Sequence, residues 1–335
     1  MDSWRLAGRS GGMRRLVLLI IAAFGLGLVG EPSPVLAGGT QVAVVAGAGQ
    51  IWVTTGFDVV KLDASSGRVE RRNNTRYAAP IEIGVSDGNV WVSSVADGFT
   101  SGAVTRIPYE AGRVTQPLVF PSRPVLALAV GSRRTWALVG PWGSLRLAAI
   151  DQATSKATLT PIRDVGWIAA DNSGETPGLF GVTSTTGKAI RIASNGAAAW
   201  TASTERIDSP AVVGLGSVWA ASRRALYRLN AVTGQVQATV PVEDAAAQLA
   251  VGGGYVWLLS FREIRAGEVY ELFKVDPRAE HIVEQAKIDG PVGNISFGSG
   301  ALRAGRATPT VSVIRIDPIT LHARVFATNL ETAQP

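Results

Sequence analysis

The sequence predicts an all-β protein, a β-propeller with seven four-stranded blades. A motif repeats along the chain with a period of about 42 residues, which is the length of one propeller blade. Short apolar runs alternate with polar residues in the manner of strands, and no long amphipathic helical pattern follows residue 37. The fourth and seventh copies are irregular, so six or eight blades remain as alternatives.

Each copy of the repeat supplies four strands: an inner strand A, a tryptophan-bearing strand B, a basic strand C and an outer strand D. A glycine-rich turn precedes strand B, and a turn ending in Gly follows strand C, as at Gly67. The aromatic slot of strand B holds Trp52, Trp91, Trp136, Phe180, Trp219, Trp257 and, in the last copy, Leu302. We expect these large side chains to fill the widening space between neighbouring blades rather than to form a ligand cage.

Strand C places a basic residue two positions before a slot that usually holds Asp or Asn, as in Lys61-Leu62-Asp63. Because side chains two positions apart share one face of a strand, we interpret the two as solvated charges or as charge pairs between blades. Little sequence precedes strand A of the first copy, so no terminal segment is evident that could complete the last blade. Ring closure is therefore expected to rest on the packing of blade faces.

Residues 1–37 have the pattern of a secretory signal peptide. Four arginines precede the apolar run Leu16–Val29, and a small-residue cleavage site ends at Ala37. That run is shorter than the ~20 residues of a membrane-spanning helix, although an uncleaved anchor is the alternative, and no later segment predicts a span. The predicted organisation is a signal peptide at 1–37, one propeller domain at 38–330 and a C-terminal tail at 331–335.

Composition excludes several classes of function. The chain has no cysteine and only two histidines, His281 and His322, so disulfide scaffolds, cysteine nucleophiles and histidine-rich metal sites are excluded. Cleavage after Ala37 would lower the net charge from +6 to +4, which is too mild to predict nucleic-acid binding. We predict no catalytic residue, no metal site and no cofactor. The preference for arginine over lysine, with much Ala and Gly, favours a bacterial origin, and we expect a monomer secreted or held in the cell envelope.

The candidate binding face is the end of the propeller where the B–C and D–A loops meet. Arginines of the last three copies concentrate in these loops, and an out-of-phase tryptophan lies between Pro and Gly. The tryptophan is a stacking platform for a sugar or peptide if it is exposed, and the arginines form an anion-accepting crescent. Ordinary loop packing and solvated loop charge are the alternatives. The predicted ligand-binding residues are Trp142, Arg223, Arg224, Arg262, Arg265, Arg303 and Arg306.

The repeat resembles a known group of proteins. Val90-Trp91-Val92 after a Gly turn, together with Arg315-Ile316-Asp317-Pro318, is similar to the secreted bacterial propellers of the YVTN/YncE-like kind and to virginiamycin-B-lyase-like propellers. The resemblance covers residues 41–330 and implies a propeller fold. In the lyase-like group a histidine and a glutamate beside bound magnesium carry the chemistry. No residue here is assigned those roles, because His281 and His322 fall in C–D turns at the blade edge.

Together these features predict an exported, non-enzymatic binding or scaffold module. It would recognise a peptide, a glycan or a partner protein, possibly an anionic one, through the B–C/D–A loop face. The alternatives are a metal-dependent lyase-like or hydrolase-like enzyme with a site in the central channel, and a structural partner in the cell envelope.

Overall fold

The computed structural model describes residues 42–330 except 48, 57, 76, 78, 87, 97–99, 111–113, 142, 172–177, 243–245, 265–266 and 308–309. The predicted signal peptide 1–37 and the tail 331–335 lie outside the described residues. Within the described part of the chain, 28 strands form seven sheets of four antiparallel strands, each sheet built from consecutive strands. The all-β prediction and the count of seven blades are confirmed.

The strands follow one another in chain order, and each group of four is one blade. Blade 1 is β1 (Val44–Gly47), β2 (Gln50–Thr54), β3 (Asp58–Asp63) and β4 (Val69–Asn74); blade 2 is β5 (Ala79–Ser86), β6 (Asn89–Val95), β7 (Gly102–Pro108) and β8 (Leu118–Phe120). Blade 3 is β9 (Val125–Val130), β10 (Arg134–Val139), β11 (Arg146–Asp151) and β12 (Ala157–Pro161); blade 4 is β13 (Trp167–Ala170), β14 (Leu179–Val182), β15 (Ala189–Ile192) and β16 (Ala198–Thr201).

The remaining three blades complete the ring. Blade 5 is β17 (Val212–Gly214), β18 (Ser217–Ala221), β19 (Ala225–Asn230) and β20 (Val236–Pro241); blade 6 is β21 (Ala246–Gly252), β22 (Tyr255–Ile264), β23 (Gly267–Asp276) and β24 (His281–Ile288); blade 7 is β25 (Ile295–Gly298), β26 (Ala301–Arg306), β27 (Ser312–Ile316) and β28 (Ala323–Ala327). The first strand of each blade lies beside the first strand of the next, and β25 lies beside β1.

The turn between strands A and B fixes the position of the large side chain on strand B. Gly49 has a φ of 74°, a left-handed conformation that glycine adopts without a steric penalty. Trp52 follows three residues later and is fully buried. Its ring stacks on Tyr109 of blade 2, with ring centroids 5.9 Å apart. The predicted role of the tryptophans in packing between blades is therefore confirmed at this position.

The seventh slot differs from the prediction by one residue. Trp257 pairs with Lys274 across β22 and β23, and the equivalent pair in blade 7 joins Arg303 to Arg315. The slot therefore holds Arg303 and not Leu302. The sequence prediction chose Leu302 because an apolar residue was expected in this slot. In blades 1, 2, 5 and 6 the slot residue follows the turn glycine by three positions, and the same spacing from Gly300 leads to Arg303.

The Asp or Asn slot at the end of strand C shapes its own turn. Oδ1 of Asn230 accepts hydrogen bonds from the backbone N–H groups of Val232 and Thr233, at 2.9 and 3.0 Å. Asp63, Asp151, Asp276 and Asp317 make equivalent contacts. Hydrogen bonds from the Ser65 and Ser66 hydroxyls, and then from the turn N–H groups, hold the pKa of Asp63 below its usual range. Backbone N–H bonds are the main cause of the same lowering of the pKa in the other three carboxyls. In the described blades the slot is thus primarily a turn former.

Replacing Asn230 with alanine should lower the free energy of unfolding by about 1 kcal/mol, because two backbone donors lose their acceptor. Asn230→Asp is the matched control, since a carboxylate fills the same slot in other blades and should keep most of the stability. Urea unfolding of both variants measures the difference. Equal losses in the two variants would show that the turn bonds contribute nothing.

Closure of the ring rests on face packing in the described residues, as predicted. We call the contact between blade 7 and blade 1 the seam. Val42 and Val44 pack in one buried cluster with Val311, Val313 and Leu330 of the chain's last segments. A pair of polar contacts supplements this cluster: Oδ1 of Asn294 accepts the N–H of Val44 at 2.8 Å, and its Nδ2 donates to the Val44 carbonyl at 3.1 Å.

Candidate binding face and channel wall

The B–C and D–A loops lie at one end of the ring, because every strand A starts where strand B ends. Arg223 and Arg224 lie between β18 and β19 and are exposed. Arg262 is exposed within β22, and Arg306 ends β26. Trp142 and Arg265 lie outside the described residues. Four of the seven predicted residues therefore lie at this end of the molecule, and we call it the loop face.

An acidic residue organises two of the arginines on the loop face. Asp208, in the connection between blades 4 and 5, lies 3.5 Å from Nε of Arg206 and 3.9 Å from Nε of Arg223. The two arginine side chains remain 54% and 59% exposed. Exposed ion pairs of this kind contribute little to stability, so the guanidinium groups stay available to a ligand. Arg206 was not among the predicted residues.

The hairpin of β22 and β23 extends beyond its sheet. In the described residues β21 pairs with β22 as far as Ser260, and β24 pairs with β23 from Tyr270. Beyond these points Phe261–Ile264 and Gly267–Val269 pair with each other as a two-stranded ribbon. The rings of Phe261 and Tyr270 lie 6.0 Å apart at the base of this ribbon. The Tyr270 hydroxyl donates to Oε2 of Glu268 at 2.7 Å. Burial, reinforced by Glu268, raises the pKa of Tyr270, so this hydroxyl stays protonated and acts as a donor.

Arg306 is tied to the chain near the loop face. Its guanidinium donates to the backbone carbonyl of Asp289, in the D–A connection that enters blade 7, and lies against Gly290. The side chain is partly buried. Arg306 therefore fixes a loop, and it is less available to a ligand than the exposed Arg223.

The location of Arg303 differs from the sequence prediction. We expected it in a B–C loop, but it lies within β26 and is 0% exposed. Its Nη2 donates to the carbonyl of Ala64 in the C–D turn of blade 1 at 3.2 Å, and its guanidinium lies 4.8 Å from the ring centroid of Phe326. Because it is buried and directed at a C–D turn, Arg303 does not belong to the exposed crescent.

Donors that cross from one blade to the next recur around the ring. Each reaches the backbone carbonyl at the residue after the Asp or Asn slot of the following blade. Of the cationic donors, Arg106 and Arg228 are the strand-C residues interpreted above as charges between blades, whereas Arg71 lies on strand D and Arg303 on strand B. In the described part of the chain these contacts are Arg71 to Tyr109, Arg106 to Gln152, Trp200 to Ala231, Arg228 to Pro277 and Arg303 to Ala64. The charge-assisted bonds made by the arginines join neighbouring blades, so these cations have a structural role.

One titratable group of the innermost strands was missed by the sequence reasoning. Oε2 of Glu82, on β5 of blade 2, accepts a hydrogen bond from the backbone N–H of Leu128 on β9. Burial raises the pKa of Glu82 to about 7, and the hydrogen bond from Leu128 opposes part of that increase. The sequence feature that could have identified this buried carboxyl is the position of Glu82 between two apolar residues, Ile81 and Ile83, of a predicted inner strand.

In blade 7, Asn294 occupies the position that Glu82 has in blade 2. Gly84, two residues after Glu82, pairs with the slot residue Trp91. Ser296, two residues after Asn294, pairs with the slot residue Arg303. Asn294 accepts the N–H of Val44 just as Glu82 accepts that of Leu128. Each of the two side chains therefore accepts a hydrogen bond from a backbone N–H on the innermost strand of the next blade. This shared contact supports a structural role for Glu82.

Metal and membrane features are sparse in the described residues. No group of three His, Asp or Glu side chains lies together so as to hold a metal ion among them. No helix in that same part of the chain is long and apolar enough to cross a membrane. His281 and His322 are exposed, at or beside C–D connections.

Comparisons with known proteins identify the fold and go no further. No protein-family model matches the chain, and no curated protein matches it in sequence. Among solved structures, U3-55K matches with a TM-score of 0.62 at 11% identity, covering 82% of this chain and 94% of that one. A chain of the mitotic checkpoint complex matches with a TM-score of 0.63 at 11% identity, covering 82% and 89%.

An enzyme also has this architecture. Dihydro-heme d1 dehydrogenase NirN, in complex with DHE, matches with a TM-score of 0.57 at 13% identity, covering 84% of this chain and 66% of that chain. At such low identity these likenesses show a shared propeller fold. Since both assembly components and an enzyme share it, function has to be argued from the residues of this chain.

Proposed function

We propose that the protein is an exported, non-enzymatic binding module that recognises a peptide, glycan or partner protein through the loop face, with an acidic protein segment as the best-fitting ligand. The observation that carries this proposal is the ribbon of residues 261–264 and 267–269, which extends beyond the pairing of β21 and β24 in the described residues and bears the exposed Arg262. The edge of such a ribbon is a surface to which an extended chain can pair.

The charge of the loop face favours an acidic ligand. Arg223, Arg224 and Arg262 are exposed on blades 5 and 6, and guanidinium groups bind carboxylates through paired N–H donors. Asp208 keeps Arg206 and Arg223 in one place without burying them. Arginine is also enriched among residues that dominate binding energy at protein interfaces.

The proposed location is extracytoplasmic. Its support is the signal-peptide pattern of residues 1–37 and the resemblance of the repeat to secreted YVTN/YncE-like bacterial propellers. A module of this kind would meet its ligand in the cell envelope or outside the cell.

The double variant Arg223→Ala/Arg224→Ala should weaken capture of the partner from a bacterial envelope extract about tenfold or more, since two charged contacts are lost. Quantitative pull-down with immobilised protein measures this, and raising the salt concentration should weaken wild-type capture in the same way.

Arg133→Ala/Arg278→Ala is the control for that experiment. Both residues are exposed arginines in turns at the opposite end of the ring, so this variant has the same net charge as the test variant. Wild-type capture by the test variant, or equal losses in both variants, would show that the loop face is not the binding surface.

A second candidate is an enzyme with a site in the central channel, and Glu82 is the observation that favours it. A carboxyl with a pKa of about 7 is suited to general acid–base chemistry at neutral pH. A rise in melting temperature on addition of Mg²⁺ or Mn²⁺ would support a metal-dependent reaction. The shared role of Glu82 and Asn294 in satisfying strand amides favours the binding module instead.

A further inference from the structure

Three arginines form a row across blade 7 on the side that faces blade 1. Arg303 on β26 pairs in register with Arg315 on β27, and Arg315 pairs with Arg324 on β28. Residues paired directly across neighbouring strands project from the same face of a sheet. Arg303 is fully buried, Arg315 is partly buried and Arg324 is exposed, so the row runs from the interior of the seam to its rim.

Arg303, the innermost arginine of this row, has guanidinium donors without a hydrogen-bond partner in the described residues. Nη2 of Arg303 donates to the carbonyl of Ala64, but its Nε and Nη1 make no hydrogen bond within the described part of the chain. Buried guanidinium groups are ordinarily paired or fully hydrogen-bonded, because an unpartnered buried charge is costly. Two donor atoms without a partner on a fully buried cation therefore indicate an acceptor other than the described residues of the chain.

In two other blades the cation of strand C is paired with an acid. In blade 1, Nζ of Lys61 lies 3.1 Å from Oε2 of Glu70. In blade 6, Nζ of Lys274 lies 3.2 Å from Oε2 of Glu284. In both cases strand D supplies the carboxylate, whereas strand D of blade 7 has the sequence ARVFA and carries no acid.

The nearest acid in sequence makes its hydrogen bonds within its own turn. Oδ1 of Asp317 already accepts the N–H groups of Ile319 and Thr320 in its own turn. Burial, together with the positive charges of Arg315 and Arg324, lowers the pKa of Arg303 to about 10. The three guanidinium groups therefore repel one another, and an anion among them would reverse that repulsion.

We infer that the arginine row Arg303, Arg315 and Arg324 is a binding site for a small tetrahedral oxyanion of the phosphate or sulfate class. Guanidinium groups offer paired N–H donors that match such oxyanions. Because Arg303 also holds Ala64 of blade 1, the bound anion would tie blade 7 to blade 1. The ligand then stabilises the seam, where an arginine replaces the indole found in most other blades.

Thermal unfolding in phosphate tests this inference. Inorganic phosphate should raise the melting temperature of the purified protein in a saturable manner, compared with sodium chloride at equal ionic strength. Arg315→Gln/Arg324→Gln should lose this rise and bind phosphate at least about tenfold more weakly by titration calorimetry. These two positions lie towards the rim, so the variant keeps the buried Arg303 and is expected to fold.

The control is Arg133→Gln/Arg278→Gln, which removes the same charge from exposed turns of blades 3 and 6 and should keep the full response to phosphate. Sulfate should act like phosphate, and acetate should not. An unchanged wild-type melting temperature in phosphate, or an equal response in the test variant, would overturn the site. An effect of acetate equal to that of phosphate would overturn the tetrahedral assignment in favour of a carboxylate.

Discussion

Trp257→Ala is expected to destabilise the protein by about 3–5 kcal/mol, the usual cost of removing a large buried aromatic side chain. Trp257 is 0% exposed. Its ring stacks on Phe297 of blade 7 with centroids 6.1 Å apart and an interplanar angle of 12°. Its Nε1 donates to the carbonyl of Gly252 at 3.0 Å. The variant thus loses packing both within blade 6 and between blades 6 and 7.

Equilibrium unfolding in urea measures this change, and Trp136→Ala is the matched control. Trp136 occupies the same slot in blade 3 but is partly exposed, so its removal leaves a smaller cavity and should cost less. A loss below about 1 kcal/mol for Trp257→Ala would contradict the role of the indoles in joining blades, as would a larger loss for Trp136→Ala.

Glu82→Gln is expected to stabilise the protein above pH 7, by up to about 3 kcal/mol. The folded-state pKa of Glu82 is about 7 and its ordinary value is 4.5, so the folded protein holds this proton more tightly than the unfolded chain. Its stabilising contribution is complete below pH 4.5 and is lost as the pH rises through 7. Glutamine cannot ionise, and its carbonyl can still accept the N–H of Leu128.

Urea unfolding of wild type and Glu82→Gln between pH 4 and pH 9 checks this expectation. The two curves should coincide below about pH 4.5, separate progressively as the pH rises to 7 and remain apart above it, with the variant more stable. Glu110→Gln, at an exposed position, is the control and should follow the wild type. Parallel profiles for wild type and Glu82→Gln would show that the Glu82 carboxyl is not held in a buried environment.

The fold could be predicted from the repeat because the sequence signals for the four strands of a blade all lie within one copy of about 42 residues. Gly turns, the indole slot and strand alternation all lie within one copy, so Trp52 and Trp219 could be placed in strand B from the sequence alone. The misplacement of the seventh slot at Leu302 has a local cause as well. Apolar character was given more weight than the fixed spacing from Gly300, which points to Arg303.

The contacts between blades could not be predicted in the same way. That Arg228 reaches the carbonyl of Pro277, or that Glu82 reaches the N–H of Leu128, depends on how far neighbouring sheets are rotated. An arginine inside a strand and a loop arginine look alike in sequence, although the first links two blades and the second is exposed on the loop face. For this reason Arg303 was grouped with Arg223 on the loop face, whereas the structure buries it at the seam.

Seven blades close into a ring without an exchanged strand, and hydrogen exchange at the seam is the sharpest test of this closure. The N–H of Val44 is bonded to Asn294, and that of Ala46 is bonded to Ser296 Oγ at 3.3 Å. Both amides point away from β2, so in an open ring they would be free edge groups. We expect both amides to exchange as slowly as the amide of Leu128 in blade 3. Exchange at the rate of an unprotected strand edge would contradict closure of the ring.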